Sequence, residues 1–104
     1  MAETAEMGNL HKEAGRFGEA ARLYGVVLQR RPDYAEAHNN LGAVYQATGA
    51  FERAEASYRA AIAAKPLLVQ PRLNLGRLLQ DMGRDADAAT EYRSAMDNGH
   101  EIDV

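Results

Sequence analysis

Four asparagines carry the most suggestive chemistry in this chain of 104 residues: Asn9, Asn39, Asn40 and Asn74. A carboxamide offers two N–H donors and a carbonyl acceptor without charge. A row of them can hold an extended peptide by its backbone without reading its side chains. Glu36, Gln46, Gln70, Arg77 and Gln80 are the polar residues that accompany them, with Ala43 and Leu73 between. Other chemistries lack their residues. Cys is absent, which removes disulfides, thiolate zinc sites, Fe–S clusters and cysteine nucleophiles. His11, His38 and His100 are scattered and form no i, i+4 metal pair. His11 falls on an apolar helix face and reads as a satisfied core histidine. The glycines form neither G-x-G-x-x-G nor a Walker loop, and no nucleophile and base can be paired in a pocket. Neither catalysis nor a metal or cofactor is expected.

The charge balance narrows the partners. Lys and Arg total 12 against 15 Asp and Glu, a net charge of -3, whereas nucleic-acid binding needs clustered positive charge. Arg16, Arg30, Arg31, Arg53, Arg59, Arg84 and Arg93 interleave with acids and read as solvated faces with some i, i+4 pairing. No segment approaches the roughly 18 consecutive apolar residues of a membrane span. The start, Met1-Ala2-Glu3-Thr4-Ala5-Glu6, lacks the charged-then-apolar pattern of a signal peptide. A cytoplasmic protein is expected, provided the sequence is not cut from a longer chain.

The elements that must position the asparagines are set by a repeat. Gly8, Gly42 and Gly76 are each 34 residues apart, as are Gly15, Gly49 and Gly83. Ala20, Ala54, Ala88 and Tyr24, Tyr58, Tyr92 keep the same interval. Met7, Leu41, Leu75, then Leu10, Val44, Leu78, then Leu28, Ile62, Met96 fill in around them. Pro32 and Pro66 continue the pattern, and His100 stands where a third proline would fall. A period held over three copies without insertion marks a stacked repeat.

Each copy reads as two helices. In the middle copy Ala37, Leu41, Val44, Tyr45 and Thr48 form one stripe at helical period, closed by Gly49. A second stripe runs through Phe51, Ala54, Tyr58, Ala61 and Ile62 and ends at Lys65-Pro66. Asp33, with Glu36 three residues on, is the expected N-cap of the first of these helices. Asn98-Gly99 is the expected stop of the last. Gly42 and Ala54 fall where the paired helices must approach closely, with Tyr58 filling the wider part of the gap. No alternating run predicts a strand.

These columns resemble the tetratricopeptide repeat, whose pattern over 34 residues is W-x₂-L-G-x₂-Y, A-x₃-F and P. The middle copy reads His38-x₂-Leu41-Gly42-x₂-Tyr45, Ala54-x₃-Tyr58, Ala61, Pro66. The third reads Arg72-x₂-Leu75-Gly76-x₂-Leu79, Ala88-x₃-Tyr92, Ala95, and the first Thr4-x₂-Met7-Gly8-x₂-His11, Ala20-x₃-Tyr24, Val27, Pro32. The tryptophan column is polar throughout, and the segment Leu67-Leu68-Val69-Gln70-Pro71 is unusually apolar and lacks a capping side chain. The resemblance implies an all-α, right-handed superhelical α-solenoid of three antiparallel helix pairs. It implies one domain over 1–104, with repeats 1–34, 35–68 and 69–102, whose first helices line a concave groove.

A protein-interaction module follows from that resemblance, binding a peptide segment of a partner in the groove. The expected peptide-binding residues are Asn9, Glu36, Asn39, Asn40, Ala43, Gln46, Gln70, Leu73, Asn74, Arg77 and Gln80. Asn40 and Asn74 are expected to stack along the groove, similar to the asparagine ladder in repeat domains of O-linked N-acetylglucosamine transferases. Asn9 is expected to serve the fold. Chaperone-binding members of the family use a clamp of lysines, an arginine and asparagines. Asn9 and Asn40 match two of its positions, but Ala5 and Gln70 stand at the lysine positions and Asn74 at the arginine. Glu6, Glu13, Glu36 and Asp81 against Lys12 and Arg77 favour a neutral to mildly basic peptide over an acidic one.

Three copies leave only Asp103 and Val104, so no capping helix is expected, and the Tyr92/Met96 edge should lie uncovered. A fragment of a longer array is the favoured explanation, with a homo-oligomer formed through the uncapped ends as a consequence. The alternatives to peptide binding are a self-assembly module, or the substrate-presenting part of a larger enzyme such as a glycosyltransferase.

Overall fold

The computed structural model describes residues 4–103, with side chains through residue 98. Met1, Ala2, Glu3 and Val104 lie outside the described residues, as does the side chain of His100. Six helices follow in order: α1 (Ala5–Glu13), α2 (Phe17–Arg30), α3 (Ala35–Ala47), α4 (Phe51–Ala64), α5 (Val69–Asp81) and α6 (Asp85–Asp103). No strand occurs among the described residues.

Glycine ends the first helix of each pair. Gly15, Gly49 and Gly83 have φ of +80, +82 and +77°, a left-handed conformation that costs a side chain steric strain. The chain then folds back on the helix it has just left. The Gly49 N–H donates to the Gln46 carbonyl at 3.1 Å and the Ala50 N–H to Tyr45 at 2.8 Å, and the other two turns repeat this. This double closure satisfies carbonyls that the helix end would otherwise leave bare.

Helix starts are less regular. The Thr4 hydroxyl oxygen accepts from the Met7 N–H at 3.2 Å and caps α1. The expected Asp33 cap does not form: the chain enters α3 through Tyr34, without a side-chain cap. The Glu36 carboxylate instead lies in the first turn, where the helix dipole favours it. Leu68 likewise precedes α5 with no side-chain cap, as the apolar loop predicted. The expected stop at Asn98-Gly99 is also corrected. α6 runs on to Asp103, because without a proline at position 100 every N–H can continue the ladder.

Each pair closes around a tyrosine. A Cβ built on Gly42 would lie 2.6 Å from Tyr58 Cε1, and those on Gly8 and Gly76 would meet Tyr24 and Tyr92 at 2.7 and 2.6 Å. Only a residue without Cβ lets these rings lie flat on the first helix. Tyr58 then packs with Ala54 against Leu75, Leu78 and Leu79 of α5. Tyr24, Ala20 and Val27 pack in the same manner against Ala37 and Val44 of α3. Thr48, expected within the α3 stripe, is exposed at its C-cap.

The stacking fixes the curvature. The backbones of α1, α3 and α5 approach one another in turn, whereas those of α2, α4 and α6 stay farther apart. First helices therefore line the inner side of the arc and second helices its outer side. The body measures 39 × 32 × 20 Å.

Candidate functional site

The inner face is built from α1, α3 and α5, and a ladder of carboxamides crosses it. The Asn40 Nδ2 donates to Asn9 Oδ1 at 3.0 Å, joining α3 to α1. The Asn74 Nδ2 donates to Asn39 Oδ1 at 2.9 Å, joining α5 to α3. Asn40 and Asn74 are thus linked to the preceding helix through different partners, not bonded to each other. Around them Lys12 donates to Asn40 Oδ1 at 3.3 Å and Gln70 donates to Asn74 Oδ1 at 2.9 Å. Arg77 also donates to Asn74, and Tyr24 donates to Asn9.

A second row runs parallel to the first. Gln46 donates to Asp81 Oδ2 at 3.3 Å, again joining α3 to α5. Its own carbonyl accepts the Tyr58 hydroxyl at 2.8 Å, and Gln80 accepts Tyr92 at 2.7 Å. Lys12 occupies the same column as Gln46 and Gln80 and has no acceptor to offer, so Tyr24 turns to Asn9. Burial pushes the Tyr24 and Tyr58 hydroxyls up to about 12, keeping both protonated as donors. This tyrosine–glutamine pairing was legible only as two columns with one period.

Donor accounting shows what the row still offers. Asn9 and Asn74 each accept two hydrogen bonds on one oxygen, which fills its lone pairs. Asn40 and Asn74 each spend one amide hydrogen on a neighbouring helix, leaving one, while Asn39 acts only as an acceptor and keeps both. The four asparagines therefore keep more free donors than free acceptors. Asn9, Asn39, Asn40 and Asn74 are half-buried, which fixes their positions without sealing them from a ligand.

The remaining expected groove residues divide. Ala43 and Leu73 are half-buried and add apolar surface, and Gln70, Arg77 and Gln80 are exposed. Glu36 sits at one end of the face, where Lys65 donates to it at 3.2 Å. Its carboxylate lies below the usual range, first because its own backbone N–H donates to it and then because of Lys65. With Glu36 ion-paired to Lys65, Glu6, Glu13 and Asp81 face Lys12 and Arg77. Among the described residues no group of His, Asp and Glu is placed to hold a metal. His11 is half-buried rather than in the core, and its Nδ1 accepts from Arg16 Nε at 2.8 Å.

The outer side carries a different arrangement. Glu55 accepts from Arg59 at 2.9 Å on α4 and from Arg84 at 2.9 Å at the start of α6. Glu91 on α6 lies 3.7 Å from both Arg59 and Arg72. Glu55/Arg59 is one case of the i, i+4 pairing expected among the surface arginines; the links across three helices were not foreseen, because they depend on packing.

The tetratricopeptide repeat profile matches residues 6–68 of this sequence. The chain belongs to that family. The third pair lies beyond the matched stretch, yet its Gly76/Tyr92 contact and Gly83 turn repeat those of the other two. No curated protein matches the chain in sequence. Among solved structures, a crystal structure of MamA superposes with a TM-score of 0.90 at 20% identity, over 96% of this chain and 61% of that one. MamA from Desulfovibrio magneticus RS-1 gives 0.88 at 18% identity, covering 93% and 55%. The type III secretion translocator chaperone SycD of Yersinia enterocolitica gives 0.87 at 17%, covering 90% and 71%. This chain thus spans about three fifths of the MamA chain it matches first. At these identities the likeness is one of fold: a helical solenoid. Family and fold together support a protein-interaction or scaffold module. No helix among the described residues is long and apolar enough to cross a membrane.

Proposed function

We propose that the chain is a non-catalytic binding module, one domain over 1–104 with repeats 1–34, 35–68 and 69–102. Its inner face takes an extended peptide segment of a partner protein. The observation that carries this reading is the donor surplus of the ladder. Asn39, Asn40 and Asn74 hold unspent amide hydrogens on side chains already fixed by inter-helix bonds. Peptide carbonyls are the matching acceptors, and donors ordered beforehand lose little entropy on binding.

Charge sets the preference. Glu6, Glu13 and Asp81 outnumber Lys12 and Arg77, so a neutral to mildly basic segment is favoured. The clamp cations that would recognise an acidic C-terminus are missing at Ala5, Gln70 and Asn74. SycD is described as a translocator chaperone, a protein that acts on proteins, and that likeness of fold supports the same class of ligand here.

Asn39→Asp is the informative variant. It keeps the oxygen that accepts from Asn74 and removes both unspent amide hydrogens. In a screen of extended neutral and basic peptides read by fluorescence anisotropy, hits on the native protein should weaken roughly tenfold with this variant. Unchanged affinity for every hit would contradict the reading.

A further inference from the structure

Ser57, in the middle of α4, is 8% exposed, and its hydroxyl has no hydrogen-bond partner among the described residues. The same column holds Leu23 in the first repeat, apolar and 1% exposed. In the third it holds Glu91, ion-paired with Arg72 at 3.7 Å. A buried hydroxyl without a partner costs free energy that a ligand can recover.

That hydroxyl lines a cleft of about 400 Å³ between α2, α3 and α4, walled by Leu28, Leu41, Tyr45 and Ala60. Leu41 and Tyr45 project from α3 on the side away from Asn39 and Asn40, so the cleft belongs to the outer side of the arc. His38 borders it, in the column where the repeat pattern carries tryptophan. An imidazole is smaller than an indole, and the His38 Nε2 is turned to the Pro32 carbonyl at 2.8 Å. Room for another ring remains.

The rim adds a cation without a partner. Arg53 stands where the flanking repeats carry Glu19 and Asp87, which pair with Arg22 at 2.6 Å and Arg84 at 3.0 Å. In the middle repeat the sign is reversed, and Ala56 and Ala50 replace those arginines. No carboxylate among the described residues pairs with Arg53, whose guanidinium lies 6.0 Å from the Tyr45 ring centroid. The cleft is therefore apolar within, hydroxyl-bearing on one wall and positive at its mouth.

We propose that it takes the C-terminal aromatic residue of a partner chain, at a second site apart from the inner face. Charge complementarity selects this occupant: the last residue of a chain carries ring and α-carboxylate together. The ring enters between Leu28, Leu41 and Tyr45, and the carboxylate accepts from Arg53. Arg53 and Ser57 are neighbours at i, i+4, about 5–6 Å apart at Cβ, a spacing that one such residue spans. Tryptophan fits best, because its indole N–H can donate to the Ser57 oxygen. The inner face lacks the cations for a terminal carboxylate at Ala5, Gln70 and Asn74; Arg53 supplies one on the opposite side.

The test titrates the ¹⁵N-labelled 104-residue protein with acetyl-Gly-Gly-Trp, as the free acid and as the C-terminal amide. The acid should give saturating shifts at the backbone amides of Tyr45, Ser57 and Ala60. The amide should bind roughly tenfold more weakly. Arg53→Gln, at an exposed position, should weaken the acid alone and so remove the difference. His38→Trp fills the cleft from within the chain and should abolish binding of both probes, with a native far-UV spectrum confirming its fold. Absence of saturable shifts at these amides up to about 10 mM acid would overturn the proposal. Equal affinity for acid and amide, a preference that survives Arg53→Gln, or binding that survives His38→Trp would do the same. So would a probe that moves the side-chain amides of Asn39, Asn40 and Asn74 instead, since it then lies on the inner face. Asn39→Asp leaves the cleft intact, so failure of the inner-face reading and failure of this one are separable.

Discussion

At the scale of single residues, the repeat is held by a tyrosine that serves two masters. Its ring lies on a glycine of the first helix, and its hydroxyl reaches the inner face, to a glutamine for Tyr58 and Tyr92 and to Asn9 for Tyr24. Tyr58 is fully buried and links the pair it belongs to with the next one. Tyr58→Ala should destabilise the protein by about 3–5 kcal/mol, read from urea unfolding followed by circular dichroism. A loss below about 1 kcal/mol would mean that the ring is not the keystone described. The glycine and tyrosine columns were legible because sterics leave few residue types that fit. The asparagine partners were not, because two side chains one position apart, Asn39 and Asn40, face different neighbours. Spacing places both on the inner side, but only packing decides that one accepts from α5 and the other donates to α1.

Whole elements obey the period wherever a backbone rule enforces it. Gly49 stops α3 because it alone tolerates φ of +82° cheaply, and no neighbour lies near its missing Cβ. Gly49→Ala should therefore cost about 1–2 kcal/mol from backbone strain alone, with the helix content unchanged. A neutral outcome in thermal melts would show that the turn relaxes. Where the sequence departs from the repeat, expectation failed for a physical reason: α6 passes Asn98-Gly99 because glycine alone permits a helix and only proline forbids one. The outer ion network adds a pH dependence between elements. Burial raises the Glu55 carboxyl, but hydrogen bonds from Arg59 and Arg84 outweigh this and set it below its ordinary 4.5. A depressed carboxylate stabilises the fold above pH 4.5, and that stability is lost as pH falls through its lowered value. The urea midpoint should drop over that acid range, and Glu55→Gln should flatten part of the drop. Identical acid limbs for the two proteins would remove Glu55 from the account.

Seen whole, the molecule is an arc with an inner face, an outer face and two unlike ends. Sequence periodicity gave the order of helices and which residues share the inner face. It gave no measure of how far the polar groups there are already committed to one another. That commitment changes the reading of the site: the asparagines brace the stack and, by the same bonds, are held ready with donors to spare. The resulting claim is that peptide carbonyls meet these side chains on the inner face. Titrating the ¹⁵N-labelled protein with the tightest peptide from the screen tests it most directly. The account predicts that the side-chain amide signals of Asn39, Asn40 and Asn74 shift together and saturate with the binding isotherm. Shifts confined to α2, α4 and the outer side of α6, with those three amides unmoved at saturation, would contradict it.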